Sequence, residues 1–191
     1  MTAISDIEIV QQTLSGNVQA YSALVNRYQD YAFTLALRIV GSREDAEEVA
    51  QDCFVKAYRA LADFRNESKF STWLYTIVNR TSLSFLKKKK EKIHSLSEEN
   101  VFNIADSKVS SLLPVNGLEQ KSKSATINAA IAMLKREDAE AITLFYLNEQ
   151  SLEEIAAILG IEMNAAKVRL HRARQRLKDI VEKHFVEELK Y

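Results

Sequence analysis

Glycine and proline are nearly missing from this chain, with four and one among 191 residues. Punctuation that sparse argues against an all-β architecture, whose many short strands need frequent turn residues. A single cysteine, Cys53, excludes an internal disulfide and a Cys-rich zinc site. It sits in an amphipathic pattern and reads as a small buried apolar residue. No stretch approaches the roughly 18 consecutive apolar residues of a membrane span. The opening MTAISDIEIVQQ has acids where a secretion signal needs bases and an apolar block, so the expected location is cytoplasmic. Net charge is missing as well, with 26 Lys+Arg against 26 Asp+Glu. What remains is rich in helix formers and 47% apolar, enough for real cores in one large domain or two small ones.

The neutrality conceals segregation. Residues 1–64 carry a net charge of −4, residues 65–94 of +6, residues 95–125 of −1, residues 126–166 of −5 and residues 167–191 of +4. Two basic segments, well separated along the chain, could touch a polyanion at two places. The acidic segments suit basic protein partners, or are simply solvated helix surface.

Apolar spacing places the helices. Tyr21, Leu24, Val25, Tyr28, Ala32, Leu35, Ala36 and Ile39 recur at three- and four-residue steps and predict a helix over residues 17–40, ended by Gly41. Ser42 with Asp45 has capping spacing, and a second helix runs from there to about Leu61. Its expected buried stripe is Ala46, Val49, Ala50, Cys53, Ala57 and Ala60, and its other face shows Glu44, Glu48, Gln51, Asp52, Val55 and Arg59. After the polar DFRNESK, a third helix starts near Ser71, with Trp73, Ile77, Leu83 and Leu86 as candidates for its packed side. Periodicity fails over residues 95–123, which read as an interdomain linker.

Beyond Ser124 come two short amphipathic helices, ATINAAIAMLK and EDAEAITLFYLNE, and then SLEEIAAILGIEMNAAKVRLHRARQRLK. Ser151 with Glu154 forms a capping box before the apolar Leu152, Ile155, Ala156 and Leu159, and Gly160 breaks the helix before another starts near Met163 or Asn164. Two short helices joined by a tight Gly-containing turn make a helix-turn-helix. On the second, Ala166, Leu170, Ala173 and Leu177 share an inward face, which turns Lys167, His171, Arg172, Arg174 and Gln175 outward. Residues 164–178 hold six lysines or arginines and His171 with no acid, unlike an ordinary solvated helix, where both signs interleave. Such a helix suits the DNA major groove and its phosphates.

On those residues the chain resembles the extracytoplasmic-function (ECF) RNA polymerase sigma factors. SLEEIAAILGIEMNAAKVRLHRARQRL is similar to their region 4, and YSALVNRYQDYAFTLALRIVGSREDAEEVAQDCFVKAYRALADFRNESKFSTWLYTIVNR to their region 2. The resemblance implies an all-α fold of two small helical domains: region 2 over residues 1–94, a flexible linker over 95–123, and region 4 over 124–191. It implies a cytoplasmic protein, associated with polymerase on the nucleoid, that is no enzyme, needs no cofactor or metal, and directs promoter-specific transcription initiation. The implied partners are core RNA polymerase, through the beta-prime clamp helices and the beta flap, promoter DNA, and an anti-sigma factor.

The same resemblance implies the site roles. Asp45, Glu48, Gln51, Asp52 and Val55, on the helix similar to the family's core-binding helix, would meet the clamp. Phe64, Asn66, Ser68, Lys69 and Phe70, with Asn79, Arg80, Ser84 and Lys87, would meet the −10 element. Lys167, Val168, Arg169, His171, Arg172 and Arg174 would meet the −35 element. Holding a splayed base takes stacking and edge hydrogen bonds, which the loop residues can supply. Trp73, on an apolar helix face, is assigned to the core instead.

The chain departs from relatives in several places. Thr76 and Ile77 stand where housekeeping sigma factors carry paired tryptophans, which implies melting that depends more on a good promoter match. Thr76 and Ser71 also stand where family members often carry a base, and Ser84 where they carry Asp. Glu162 to Ala166 replace a common Ser-x-Gly-Thr-Val, although Glu162 or Asn164 could cap the helix.

Two other readings compete. A conventional helix-turn-helix regulator with a helical sensor domain accounts for the last 60 or so residues but not for the basic segment Arg65–Lys92. A small helical enzyme would have to use His94, His171, His184 or clustered carboxylates, and no H-E-x-x-H, Gly-rich phosphate loop or nucleophile motif occurs.

Overall fold

The computed structural model describes residues 4–97 and 118–185, and every described regular element is helical. Two compact units emerge, one holding the helices up to the end of the basic segment together with Ala157–Gly160, and the other the rest of the chain beyond it. Most of the expected linker, residues 98–117, lies outside the described residues. Both of its ends are helical, because α4 (Phe70–Ser97) continues past Lys92 and α5 (Leu118–Ala132) begins before Ser124. Lysine is a good helix former, so a run of lysines prolongs a helix that composition alone would have ended.

The first unit packs α2 (Tyr21–Val40), α3 (Arg43–Arg59) and α4 against one another, with α1 (Asp6–Leu14) against α2. Helix α1 lies outside the expected helices, although its signal is present in the sequence. The Ser5 hydroxyl accepts the Glu8 amide at 3.3 Å while the Glu8 carboxylate accepts the Ser5 amide at 2.8 Å, a full capping box. Asp6 then receives both Arg27 and Tyr28, fastening α1 down. Gly41, with φ of 78°, closes α2 in the left-handed conformation, and Ser42 accepts the Asp45 amide to open α3.

Small side chains line the buried faces. Ala32, Ala36, Ala46, Cys53 and Ala57 are fully buried, with Leu24, Leu35 and Leu74 filling the space between. The expected stripe of α3 holds for Ala46, Val49, Ala50, Cys53 and Ala57, joined by Phe54, while Ala60 is only half-buried. The expected packed side of α4 needs correction. Leu83 is exposed and Trp73, Ile77 and Leu86 are half-buried, whereas Phe70, Leu74, Tyr75, Val78, Thr81 and Ser82 are buried. Hydroxyl residues carry part of that inward face. Ser82 returns its proton to the Val78 carbonyl at 2.8 Å, which removes the cost of burying it and hides the stripe from a search for apolar residues.

In the second unit α5 precedes α6 (Arg136–Ile142), one π-helical turn (Thr143–Leu147), α7 (Leu152–Leu159) and α8 (Met163–His184). Ile131, Ala139, Ile142, Leu170 and Ala173 form the core, with Leu134, Phe145, Leu152 and Leu177 packed on it. The expected box before α7 is present: Ser151 Oγ accepts the Glu154 amide at 3.2 Å, and Glu154 accepts the Ser151 amide at 2.8 Å. Gly160, at φ of 65°, makes the turn, and Ile161 donates back to the Ala156 carbonyl at 3.0 Å. Glu162 occupies the cap position of α8 without a side-chain hydrogen bond. Among the described residues no helix is long and apolar enough to cross a membrane.

Tight packing around small residues makes the first unit intolerant of bulk. Ala36→Leu is expected to cost about 1–3 kcal/mol through overpacking, read as a lower urea midpoint for the first unit.

Candidate nucleic-acid interface

Helix α8 carries the clearest surface. Its inward side is Ala166, Leu170 and Ala173, with Leu177 half-buried beside them, as the spacing predicts. Lys167, Val168, His171, Arg172 and Arg174 are exposed, and Arg169 is half-buried. These cations are not equivalent. The Arg174 guanidinium lies 4.6 Å from the Phe145 ring centre and 5.3 Å from that of Tyr146, a cation–π seat that ties it to the protein. Arg176, absent from the expected set, donates to Asp138, a carboxylate only 7% exposed. No local signal marks it, because its partner lies 38 residues away on another helix. Arg172 has no such tether among the described contacts, and with Asn164, Ala165, Val168, Arg169, Arg176 and Asp138 it lines a shallow concavity of about 470 Å³.

Beneath this face lies Glu140, 4% exposed and 3.5 Å from Arg136 Nε without a hydrogen bond to it. Burial pushes its carboxyl up to about 7, against a smaller pull from Arg136, with Glu137 raising it and Arg169 lowering it.

In the first unit the basic segment divides. Asn66, Ser68 and Lys69 are exposed on the loop before α4, and Asn66 holds a left-handed φ of 57°. Phe64 is half-buried, its ring 5.3 Å from Trp73 and 5.7 Å from Phe70. Trp73 is half-buried in that cluster, neither a fully packed core residue nor a free platform. Arg80, Ser84 and Lys87 are exposed along α4. Phe70 departs from the expected −10 set, because it is buried, at 2% exposure. Phe70 opens the inward face of α4.

The acidic face of α3 presents Glu48, Gln51, Asp52 and Val55 to solvent, Val55 at 48% exposure. Asp52 pairs along the helix with Lys56 at 2.6 Å. Asp45 differs from its expected companions, since it is half-buried and ion-paired with Lys89 of α4 at 2.5 Å. Between α2 and α3 runs a groove of about 380 Å³ lined by Gln29, Asp30, Phe33, Glu47, Gln51 and Phe54 among others. Its α2 wall was missed because a single helix's periodicity says nothing about which second helix flanks it. No group of three or more potential metal ligands occurs among the described residues.

Glu140→Gln tests the buried carboxyl. An unfolded glutamate releases its proton near pH 4.5 and the folded one near 7, so the folded state keeps a proton the unfolded state has lost across that window. Stability of the second unit is then expected to fall as pH rises from 4.5 to 7 and to level off above. The glutamine variant is expected to lack that fall and to be about 1–3 kcal/mol more stable at pH 8, by urea unfolding.

Both units have counterparts in known proteins. Residues 24–92 match the family model for Sigma-70 region 2, and residues 124–177 that for Sigma-70, region 4. The chain is 31% identical over 173 residues to the ECF RNA polymerase sigma factor SigW of Bacillus subtilis (strain 168), spanning 88% of this chain and 92% of the relative. It is 32% identical over 184 residues to the ECF RNA polymerase sigma-E factor of Escherichia coli (strain K12), spanning 94% and 95%. Among solved structures the fold resembles CnrH, seen with the cytosolic domain of CnrY, at a TM-score of 0.64 and 24% identity over 92% of this chain and 96% of that one. It also resembles the sigma factor RpoE of Bartonella quintana, seen with the anti-sigma factor NepR, at 0.66 and 22% over 85% and 96%.

Proposed function

The chain belongs to the extracytoplasmic-function RNA polymerase sigma factors and directs transcription initiation, and we propose that it divides that work between its two units. The second unit reads the −35 element through α8, with Arg172, Lys167, His171 and Val168 facing the duplex and Arg169 at the edge. Arg174, fixed on the Phe145 and Tyr146 rings, braces that edge. The single observation that carries this reading is the unbalanced exposed face of α8, cationic without an acid from Lys167 to Lys178 and backed by the buried stripe Ala166, Leu170 and Ala173. A helix so built can lie against phosphates and reach base edges with arginine.

The first unit holds the polymerase and opens the −10 element. Glu48, Gln51, Asp52 and Val55 form the clamp-facing patch, an apolar residue ringed by acids and an amide that suits a basic helical partner. Asp45 acts behind them by holding Lys89. Asn66, Ser68 and Lys69 offer hydrogen bonds to an unstacked base, and the half-buried rings of Phe64 and Trp73 lie at the root of that loop. Arg80, Ser84 and Lys87 follow the strand along α4. Asn79 joins them, whereas Phe70, being buried, drops out of the contact set.

The chain is a regulator, with bond-making left to the polymerase, and it works in the cytoplasm. An anti-sigma factor fits it as a partner, since the solved relative RpoE was seen with a protein of that kind. A conventional helix-turn-helix regulator lacks a counterpart for residues 24–92, the span that matches Sigma-70 region 2.

Arg172→Ala is expected to weaken −35 duplex binding by about 1–3 kcal/mol while leaving capture of core polymerase intact, measured by gel shift and pull-down. Lys167→Ala is expected to lower the slope of log affinity against log salt by about one. Charge reversal at Glu48 and Asp52 is expected to cut core capture about tenfold or more with helicity unchanged. Equal loss of DNA and core binding in any of these variants would point to misfolding instead.

A further inference from the structure

Val168 is out of character with its helix. It lies two residues past Ala166 and two before Leu170, on the far side from both of those buried residues. There it is 46% exposed, in the middle of the face proposed to meet DNA. A β-branched residue restricts its own rotamers in a helix and gains nothing from facing water. A lone exposed apolar side chain means little by itself. Its neighbours give this one meaning. Asn164 stands one turn before it and Arg172 one turn after, and all three line the same concavity. Asparagine and arginine are the side chains that match adenine and guanine edges in the major groove, and the one apolar group on those edges is the C5 methyl of thymine.

We propose that Val168 reads a thymine: its side chain packs against the C5 methyl of a thymine in the −35 element, near a guanine held by Arg172. The proposal rests on the reading of α8 as the −35 reader. Four residues of helix rise about 6 Å, so the thymine lies within about two base-pair steps of the guanine. Lysine or arginine at position 168 would add affinity for any sequence; valine adds it only where a methyl stands, which turns the centre of a charged surface into a point of discrimination.

The test uses holoenzyme assembled from the full chain and core RNA polymerase. Upstream elements are enriched from a randomised duplex, and each thymine is then replaced singly by deoxyuracil, which removes the methyl and keeps the pairing. At one position the replacement is expected to weaken binding about three- to fivefold with the natural chain. With Val168→Ala, the same replacement is expected to have no effect, and the variant is expected to show a loss of similar size on the unmodified duplex. The proposal is overturned if no thymine responds, if the deoxyuracil penalty persists in Val168→Ala, or if that variant loses core capture without DNA, which would make Val168 a protein contact. Arg172→Ala separates the two levels. If it leaves duplex affinity unchanged, α8 is not the reader and both ideas fall. If it weakens binding while deoxyuracil does not, the thymine contact alone is wrong.

Discussion

A helix can bury only one stripe, and on α8 that stripe is Ala166, Leu170 and Ala173. Everything about the second unit's surface depends on it. Small residues at two of the three positions let α8 settle close to the core of Ile131, Ala139 and Ile142. That approach brings α6 near enough for Asp138 to take Arg176, and brings Phe145 and Tyr146 under Arg174. A row of cations that looks uniform in sequence is thereby sorted. Two arginines are committed to the protein, Lys178 pairs along the helix with Glu182 at 3.6 Å, and Arg172 carries no such tether among the described contacts. Sorting of this kind limits the entropy lost on binding, because the fixed arginines need no further ordering.

The first unit applies the same rule to the opposite charge. The buried stripe of α3 is made of alanines, a valine, a cysteine and a phenylalanine, so its acids have nowhere to go but outward. Those in its first turn are favoured there in any case by the positive end of the helix dipole. An acidic face that folding already tolerates is available for recognition at little extra cost. Helix α4 then returns the complementary charge, and Lys89 closes on Asp45 across the two helices.

Much of this was legible beforehand. The lengths of α2 and α3, the Ser42 cap, the Ser151–Glu154 box, the Gly160 turn and the inward stripe of α8 all derive from local signals, and local signals survive folding. What escaped depends on pairs of elements. The inward face of α4 is hidden in the sequence because Thr81 and Ser82 sit there, the Ser82 hydroxyl satisfied by its own helix. The family resemblance puts Phe70 among the DNA contacts, and a resemblance is silent about which way a helix is turned. Arg176 and the α2 wall of the groove were missed for the same reason, since each acquires its surroundings from a neighbour remote in sequence.

Asn66 joins two properties at one position. Few side chains tolerate a backbone φ of 57°, and asparagine is among them. Glycine would bend the loop just as readily while removing the carboxamide. Shape and hydrogen-bonding capacity therefore reside in one residue yet can be taken apart there, so the curve of this loop can be varied apart from the amide it presents.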